Sequence, residues 1–437
     1  MDLTTHLLVG IDFSRSRADL ALLQGDGQPI EVHRGYANSY PGFQQAKAWL
    51  LEMLEEHQLQ VVDIAGEATS YYWLPFFLQL AQDPDLAAYS PNLFLLNPRW
   101  VHWYKKSLAP DHKDDTTDPQ YIADRIRFKR PDVSWKPDPK WLSLRFYTRL
   151  RFHLVKSLVR SKNLCQVYLF LAYNTYTCFK PFSDCLSVTS QRLLTQPELL
   201  SSLSDLSLEE LAVELQELSG HRLPDPLKNA RRLQRVLAES FPQAPALAAP
   251  LQGSLEILLD TLNALQTQIQ RVEGLIEQLV RAGYPEVGWL DSIPGIGLIY
   301  ASGVAAEIAG LQRFADVPKW DKRHKCLRRR RAKEIEDAVA KYAGLWWPRN
   351  ASGQFEAEER PLKREGNAYL RYYAVEAGEN LRQWLPSFSA YYHKKFDEAS
   401  KHKHKRAKVL TGRKALGLFV ALLRRQETYR AEEENRH

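Results

Sequence analysis

Hydrophobic and polar positions divide the chain into an N-terminal part with strand patterns and a longer part with helical spacing. In the N-terminal part, apolar runs between turn residues predict the order strand, strand, strand, helix, strand, helix, strand. These elements are expected at residues 6–13, 18–23, 29–36, 41–57, 60–65, 73–82 and 92–96. Gly25-Asp26-Gly27 supplies a hairpin turn before the third strand. The order predicts an α/β domain with a mixed sheet.

From Pro139 onward the apolar residues follow helical spacing. Residues 140–173 predict one long helix, and Ser207 with Glu210 forms a capping-box sequence that opens another. A Pro- and Ala-rich stretch near 221–250 predicts a linker. The helix expected at 251–281 carries an apolar stripe that suits either a packed bundle or a coiled-coil dimer. Its members are Leu255, Leu258, Leu262, Leu265, Ile269, Val272, Ile276 and Leu279.

The length of 437 residues allows several domains, each with a core of its own. We expect three: an α/β domain at 1–135, a helical or coiled-coil region at 136–285, and a C-terminal domain at 286–437. The chain has no apolar run long enough to span a membrane, and its first residues do not resemble a signal peptide. Its four cysteines form no CxxC pair, so we expect a cytoplasmic protein with free thiols.

Positive charge is concentrated in three segments, although the net charge is only +7. Together they favour an extended polyanion, hence nucleic acid, whereas any one alone could be a solvated helix face. The first segment holds Lys319, Lys322, Arg323, Lys325, Arg328, Arg329, Arg330 and Arg331. The second holds Lys394, Lys395, Lys401, Lys403, Lys405, Arg406 and Lys408. The third holds Arg145, Arg149, Arg151, Lys156, Arg160 and Lys162.

Four carboxylates follow or interrupt the predicted strands. Asp12 lies within the first strand, where an acid is costly unless it is paired or binds a metal. Glu67 follows the fourth strand, and Asp115 and Asp118 follow the fifth with a spacing of three. Because the ends of parallel strands meet at one sheet edge, these acids could converge on Mg²⁺. Two such ions about 4 Å apart could clamp the oxygens of a phosphodiester exchange.

Two sets of short motifs resemble the DEDD transposases, insertion-sequence recombinases that are guided by a bridge RNA. The N-terminal set resembles the RuvC-like, RNase H-like domain of that family: Gly10-Ile11-Asp12, Gly66-Glu67-Ala68-Thr69, Leu96-Asn97-Pro98 and Lys113 to Asp118. The C-terminal set follows the order of its transposase domain: Ser292 to Gly297, Arg313-Phe314, Ala343-Gly344-Leu345, Ser352-Gly353 and Gly366 to Arg371.

The resemblance implies that Asp12, Glu67, Asp115 and Asp118 bind two Mg²⁺ ions and that Ser352 is the nucleophile of a covalent phosphoserine intermediate. It further implies donor and target DNA and a guide RNA as partners, assembly as a homodimer or homotetramer, and association with the nucleoid. The chain departs from the family pattern at Asp114, which leaves open whether Asp114 replaces Asp115. It also carries a basic insertion between Phe314 and Gly344, and an extra Trp before Pro348.

Further residues are candidates for nucleic-acid contact, each with a structural alternative. Trp100, Trp103 and Tyr104 could stack on bases or belong to a core. Gly295 and Gly297 could bring backbone amides to a phosphate or form a plain turn, and Asn367 could position a phosphate or cap a helix. The complete set is Arg99, Lys105, Lys106, Gly295, Gly297, Arg328, Arg329, Arg330, Arg331, Asn367 and Arg371.

Three other functions compete with DNA strand transfer. A RuvC-like hydrolytic nuclease or junction resolvase would use the acids without Ser352. A non-catalytic nucleic-acid-binding protein would have no need of an intact acidic set. A sugar kinase of the actin-like class also begins with a strand carrying Gly-Ile-Asp, but it needs a glycine-rich phosphate loop, and Phe13 to Arg17 provides none.

Overall fold

The fold is described from a computed structural model of the chain. It describes residues 3–108, 117–128, 135–321, 323–348, 351–352, 355–356, 362–363 and 365–431. The described part divides into two compact units. The first comprises 1–142 and 310–335, and the second comprises 143–309 and 336–437. The division into three domains that we derive from the sequence stays a prediction.

The first unit contains a five-stranded mixed sheet with the strand order β3-β2-β1-β4-β5. Strands β1, β2 and β3 form an antiparallel meander, whereas β4 pairs in parallel with both β1 and β5. The strands are β1 His6–Phe13, β2 Arg17–Gln24, β3 Pro29–Ala37, β4 Val61–Glu67 and β5 Asn92–Leu96. The predicted strands and the mixed sheet are therefore confirmed. The carboxyl ends of β1, β4 and β5 lie at the same edge.

Both faces of the central strands β1 and β4 are buried, whereas the edge strand β3 is largely exposed. The helices of this part of the chain are α1 Tyr40–Glu56, α2 Leu74–Gln82, α3 Pro84–Ala87, α4 Pro98–Leu108 and α5 Asp118–Phe128. Side chains of α1 and α2, such as Phe43 and Phe77, form the core on one face. On the other face Val101 of α4 and Ile122 of α5 pack against Leu8. This second face also carries the carboxylates described below.

Most of the remaining chain is helical. Its helices up to residue 315 are α6 Pro139–Ala172, α7 Tyr176–Phe179, α8 Val188–Leu194, α9 Pro197–Ser204, α10 Leu208–Leu218, α11 Pro226–Glu239, α12 Pro245–Arg281, α13 Pro285–Asp291, α14 Gly297–Ile308 and α15 Gln312–Ala315. Thereafter come β6 Lys319–Asp321, β7 Cys326–Arg328, α16 Ala332–Tyr342, β8 Ala351–Ser352, β9 Phe355–Glu356, α17 Ala368–Trp384, α18 Pro386–Asp397 and α19 Lys403–Arg425. The predicted capping box at Ser207 is present.

The structure corrects the linker expected near 221–250. Helix α11 occupies much of this range, and its Ala230, Leu233 and Val236 are buried in a helical core. Helix α12 then begins at Pro245 and includes Pro250 within it. A high content of Pro and Ala misled the prediction, because Pro is tolerated at the start of a helix and Ala favours helices. Leu255 and Leu262 of the apolar stripe pack into the same core.

Two further properties concern the described residues as a set. No helix among them is both long and apolar enough to cross a membrane. The four cysteines are free thiols, of which Cys165 is buried and Cys178 and Cys326 are exposed.

Candidate active site

Asp12 and Glu67 are neighbours at the carboxyl ends of β1 and β4. The parallel register ends with Ile11 opposite Gly66, so Asp12 and Glu67 come next on adjacent strands and on the same face of the sheet. Both side chains are half-buried. The Thr69 hydroxyl donates a hydrogen bond to Glu67 Oε1 at 2.8 Å, which orients that carboxylate.

Helix α5 brings Asp118 to the same place because Gly10 lets it approach β1 closely. A Cβ atom on Gly10 would lie 1.9 Å from the carbonyl oxygen of Pro119 and 2.5 Å from the amide nitrogen of Ala123. Gly10 and Asp12 are two residues apart and therefore face the same side. Asp118 is the first residue of α5, and its side chain is 23% exposed. The close packing thus holds Asp118 near the end of β1.

The three carboxylates interact electrostatically. The pKa of Asp12 is raised to about 6, first by burial and then by the negative charges of Glu67 and Asp118. A hydrogen bond with the backbone of Phe13 acts in the opposite direction. Like charges held at short range disfavour ionisation of the most buried member. A bound cation would relieve this repulsion, so the donor set has the chemistry that a divalent metal requires.

Lys105 of α4 already places one positive charge at these acids. Its ammonium group forms an ion pair with Asp118 and lies 6.0 Å from the centre of the Tyr121 ring. Among the described residues, no group of three or more His, Cys, Asp or Glu side chains is arranged to hold a metal ion. Asp115, with Asp114 as its alternative, lies outside the described residues. The metal-binding role of the acids therefore stays a prediction.

Asp19 is a further carboxylate at this site, and it was not among the acids predicted from the sequence. It lies directly opposite Asp12 on β2, and its charge contributes to the raised pKa of Asp12. Asp19 accepts hydrogen bonds from Arg17 and bonds to His33, both at 3.0 Å. The available signal was a single polar residue in an apolar strand, the same signal that identified Asp12.

Ser352 belongs to the second unit, in a short antiparallel pair of strands. It is the last residue of β8 and lies opposite Phe355 of β9. Its backbone is described, whereas its side chain lies outside the described part. An isolated bridge between Trp346 and Lys363 joins the two ends of the segment that carries this pair. Ser352 is thus located in a hairpin-like segment, and its role as nucleophile stays a prediction.

A buried polar network fixes the base of that segment. The carboxylate of Glu307 is fully buried and accepts two hydrogen bonds from Arg149, at 2.7 and 2.8 Å. Asn367 donates to the same carboxylate at 2.6 Å and to the Tyr342 hydroxyl at 2.9 Å. The backbone N–H of Asn367 also donates a hydrogen bond to the Tyr342 carbonyl oxygen, at 2.6 Å. Tyr342, which precedes the Ser352 segment, and Asn367, which follows it, are therefore held together by hydrogen bonds.

Several candidates for nucleic-acid contact have internal roles. Asn367 caps α17 through the amides of Tyr369 and Leu370, which supports the capping alternative. Arg371 donates to the carbonyl oxygen of Ala343 at 3.1 Å. Gly295 has a φ of +84° and is covered by the Trp384 ring, which a Cβ atom would meet at 2.3 Å. Contacts within the protein therefore explain why Asn367, Arg371 and Gly295 occupy these positions. Nucleic-acid contact by these residues stays a prediction.

The basic segments also divide into internal and exposed charges. Arg149 forms an ion pair with Glu307, and Arg151 forms one with Glu273 at 2.6 Å. The basic segment at 145–162 therefore has less positive charge available for nucleic acid than its sequence suggests. Helix α4, in contrast, exposes 59% of Trp100 and 56% of Trp103. The guanidinium of Arg99 lies 5.1 Å from the centre of the Trp103 ring. Exposed Lys106 lies on the same helix.

Tyr104 differs from these tryptophans because it is held inside the unit. Its hydroxyl donates to Asp124 at 2.5 Å, and burial together with this hydrogen bond raises the pKa of the phenol. Trp100 and Trp103 are therefore exposed, whereas Tyr104 is partly buried and bonded to Asp124, and base stacking by these residues stays a prediction.

The N-terminal part of the chain, which contains these carboxylates, matches a known protein family. Residues 9–173 match the family model of the DEDD transposases of the IS110 type, described as a transposase. The matched range begins in β1 and ends after α6, so it contains Asp12, Glu67 and Asp118 together with Asp115. No curated protein matches the chain.

Proposed function

We propose that the chain is a DNA transposase that cuts and rejoins DNA, because residues 9–173 match the family model of the DEDD transposases of the IS110 type. The observation that carries the proposal is the meeting of Asp12, Glu67 and Asp118 at one sheet edge within the matched range. The strand order of the sheet supports an RNase H-like fold. Asp115, three residues before Asp118, completes the proposed set of acids.

We propose that the four acids bind Mg²⁺, with two ions as the expected number. Carboxylate oxygens are the ligands that this ion prefers, and the ions would neutralise charge on the scissile phosphate. Lys105, which pairs with Asp118, would have to release this carboxylate for it to hold the ion. The exposed tryptophans and Arg99 on α4 lie in the same unit as the acids and suit stacking on nucleic-acid bases. They are the proposed contacts for DNA or the guide RNA near the acids.

Ser352 is proposed to attack the scissile phosphodiester. Its oxygen forms a bond to phosphorus, the bond from phosphorus to the leaving sugar oxygen breaks, and the serine proton leaves to solvent or a base. The leaving oxygen takes up a proton and becomes a free hydroxyl. The phosphoserine keeps the energy of the phosphodiester, so attack by another DNA hydroxyl rejoins the strands and restores the serine. The network of Glu307 positions this segment at its base.

Two variants test the proposal on supercoiled donor and target DNA with Mg²⁺ and the element's RNA. Asp12→Ala should abolish cleavage, and Ser352→Ala should abolish the covalent protein–DNA adduct while DNA binding persists. Glu55→Gln and Ser387→Ala replace exposed residues of the same two units and should retain activity. An adduct that survives in Ser352→Ala would exclude this serine. Free DNA ends with no adduct in the unaltered chain would identify a hydrolytic nuclease instead.

A further inference from the structure

The basic insertion forms a two-stranded ribbon with two chemically different faces. In this ribbon Lys319 pairs with Arg328, Trp320 with Leu327, and Asp321 with Cys326. Because side chains alternate along a strand, Trp320 and Leu327 share one face, and the other two pairs share the opposite face. We call the first the apolar face and the second the ionic face.

The ionic face is held to the start of α16 by several ion pairs. Arg328 donates to Glu334 at 2.7 Å and to Asp321 at 3.1 Å, and Lys319 contacts Glu334 at 3.0 Å. These contacts hold the pKa of Glu334 well below its usual range, with the Arg328 hydrogen bond as the largest cause. Arg328 is therefore a structural residue of the ribbon, and the apolar face is turned away from this cluster.

The apolar face is exposed and surrounded by positive charge. Trp320 is 54% exposed and Leu327 is 65% exposed, which is unusual for an adjacent cross-strand pair of large apolar residues. At the turn, Asp321 accepts hydrogen bonds from the backbone amides of Arg323 and His324, and its carboxylate also lies 3.2 Å from the His324 ring. The exposed basic side chains at the turn and after β7 are Arg323, His324, Lys325, Arg329 and Arg331.

We propose that the apolar face docks into a groove of double-stranded DNA, a proposal that rests on the DNA-directed function above. The major groove of B-form DNA admits a two-stranded ribbon, whereas the deep and narrow major groove of A-form RNA does not. Trp320 and Leu327 then contact base edges. Arg329 and Arg331 lie on phosphates, since exposed cations flanking an apolar pair match the charge pattern of a groove and its two backbones.

The proposal separates residues that look equivalent in the sequence. In the run of four arginines, Arg328 stabilises the ribbon through Glu334, whereas Arg329 and Arg331 bind phosphate. A matched pair of double variants distinguishes the two parts of the docking surface: Trp320→Ala with Leu327→Ala for the apolar contact, and Arg329→Gln with Arg331→Gln for the charge. Phe241→Ala controls for loss of an exposed aromatic residue, since Phe241 is 81% exposed. Lys228→Gln with Arg231→Gln controls for loss of two exposed charges.

The experiment measures binding of the full chain to a labelled DNA duplex, with divalent ions chelated, over a series of salt concentrations. The apolar double variant should bind about tenfold more weakly, because it loses the burial of two large apolar side chains against the base edges. Its salt dependence should be unchanged, because apolar contacts release no counterions. The charge double variant should lower the slope of log affinity against log salt by about 2. Both control variants should lie within about twofold of the unaltered chain in affinity. Thermal unfolding of each variant checks that it remains folded.

Two results would overturn the docking site. One is duplex affinity of the apolar double variant that stays within about twofold of the unaltered chain. The other is a loss confined to the guide RNA, measured with the same variants and a labelled RNA, which would assign the ribbon to RNA. Because binding is measured without cleavage, neither result depends on whether the acids or Ser352 perform the proposed chemistry.

Discussion

Replacement of Asp12 by Asn should stabilise the chain in the absence of divalent ions. Burial and the charges of Glu67 and Asp118 raise the pKa of Asp12 from 3.8 to about 6. Each pKa unit corresponds to about 1.4 kcal/mol, so the shift corresponds to at most about 3 kcal/mol of unfavourable interaction. Because the side chain is only half-buried, solvent screening reduces this to about 1–2 kcal/mol. The neutral amide of Asn escapes this penalty.

The pH dependence has a definite sign. The folded pKa of Asp12 lies above its unfolded value, so the folded state binds more protons between about pH 4 and 6. Its contribution to stability is fully present below about pH 4 and is lost as the pH rises through about 6. The stability difference between Asp12→Asn and the unaltered chain should therefore grow over this window and stay constant above it.

Urea unfolding at a series of pH values, with a metal chelator present, measures this difference. Glu55→Gln, which neutralises an exposed carboxylate of the same unit, serves as the control and should show no such window. Addition of Mg²⁺ should stabilise the unaltered chain and have a smaller effect on Asp12→Asn, since ligand binding to the folded state adds stability. The electrostatic reasoning fails if Asp12→Asn is destabilised at pH 8 without Mg²⁺, or if the difference is the same at pH 4 and 8.

Three further predictions concern the surroundings of the acids and of the serine segment. Gly10→Ala should destabilise the first unit by about 1–3 kcal/mol and weaken Mg²⁺ binding, because a Cβ atom would meet the α5 backbone at 1.9 Å. Urea unfolding measures the loss of stability, and metal titration measures the loss of Mg²⁺ affinity. Glu307→Gln should cost about 3–5 kcal/mol in unfolding free energy, since it leaves the Arg149 charge without its buried partner; a loss below about 1 kcal/mol would contradict the importance of this network. Lys105→Met should tighten Mg²⁺ binding about tenfold, because it removes a cation that competes for Asp118; unchanged affinity in calorimetry would contradict that competition.

The local elements of the first unit could be predicted from the sequence because they depend on patterns within a few residues. Apolar runs between turn residues gave the strands β1 to β5 with bounds close to those observed. The capping sequence at Ser207 is likewise a local device, and its two hydrogen bonds are present. Composition was a weaker guide, since Pro and Ala near 221–250 indicated a linker where two helices occur.

Most partners that are distant along the chain could be identified only from the tertiary structure. The parallel pairing of β1 with β4 makes neighbours of Asp12 and Glu67, which the order of elements could suggest. The pairing of Asp19 with Asp12 could not be predicted from the sequence, because it depends on the register of a hairpin. The ion pairs of Arg149 with Glu307 and of Lys105 with Asp118 depend on how helices pack.

What the sequence determined by itself was the set of candidate residues for the chemistry: carboxylates at strand ends, a serine in a turn-rich segment, and clustered cations. Only the tertiary structure decided which charges neutralise each other and which remain available. Arg328 and Arg329 are adjacent in the chain, but one lies against Glu334 and the other is exposed. The physical reason is that a charge is satisfied by whatever lies within a few ångströms of it, and that distance is set by packing and strand register rather than by position along the chain.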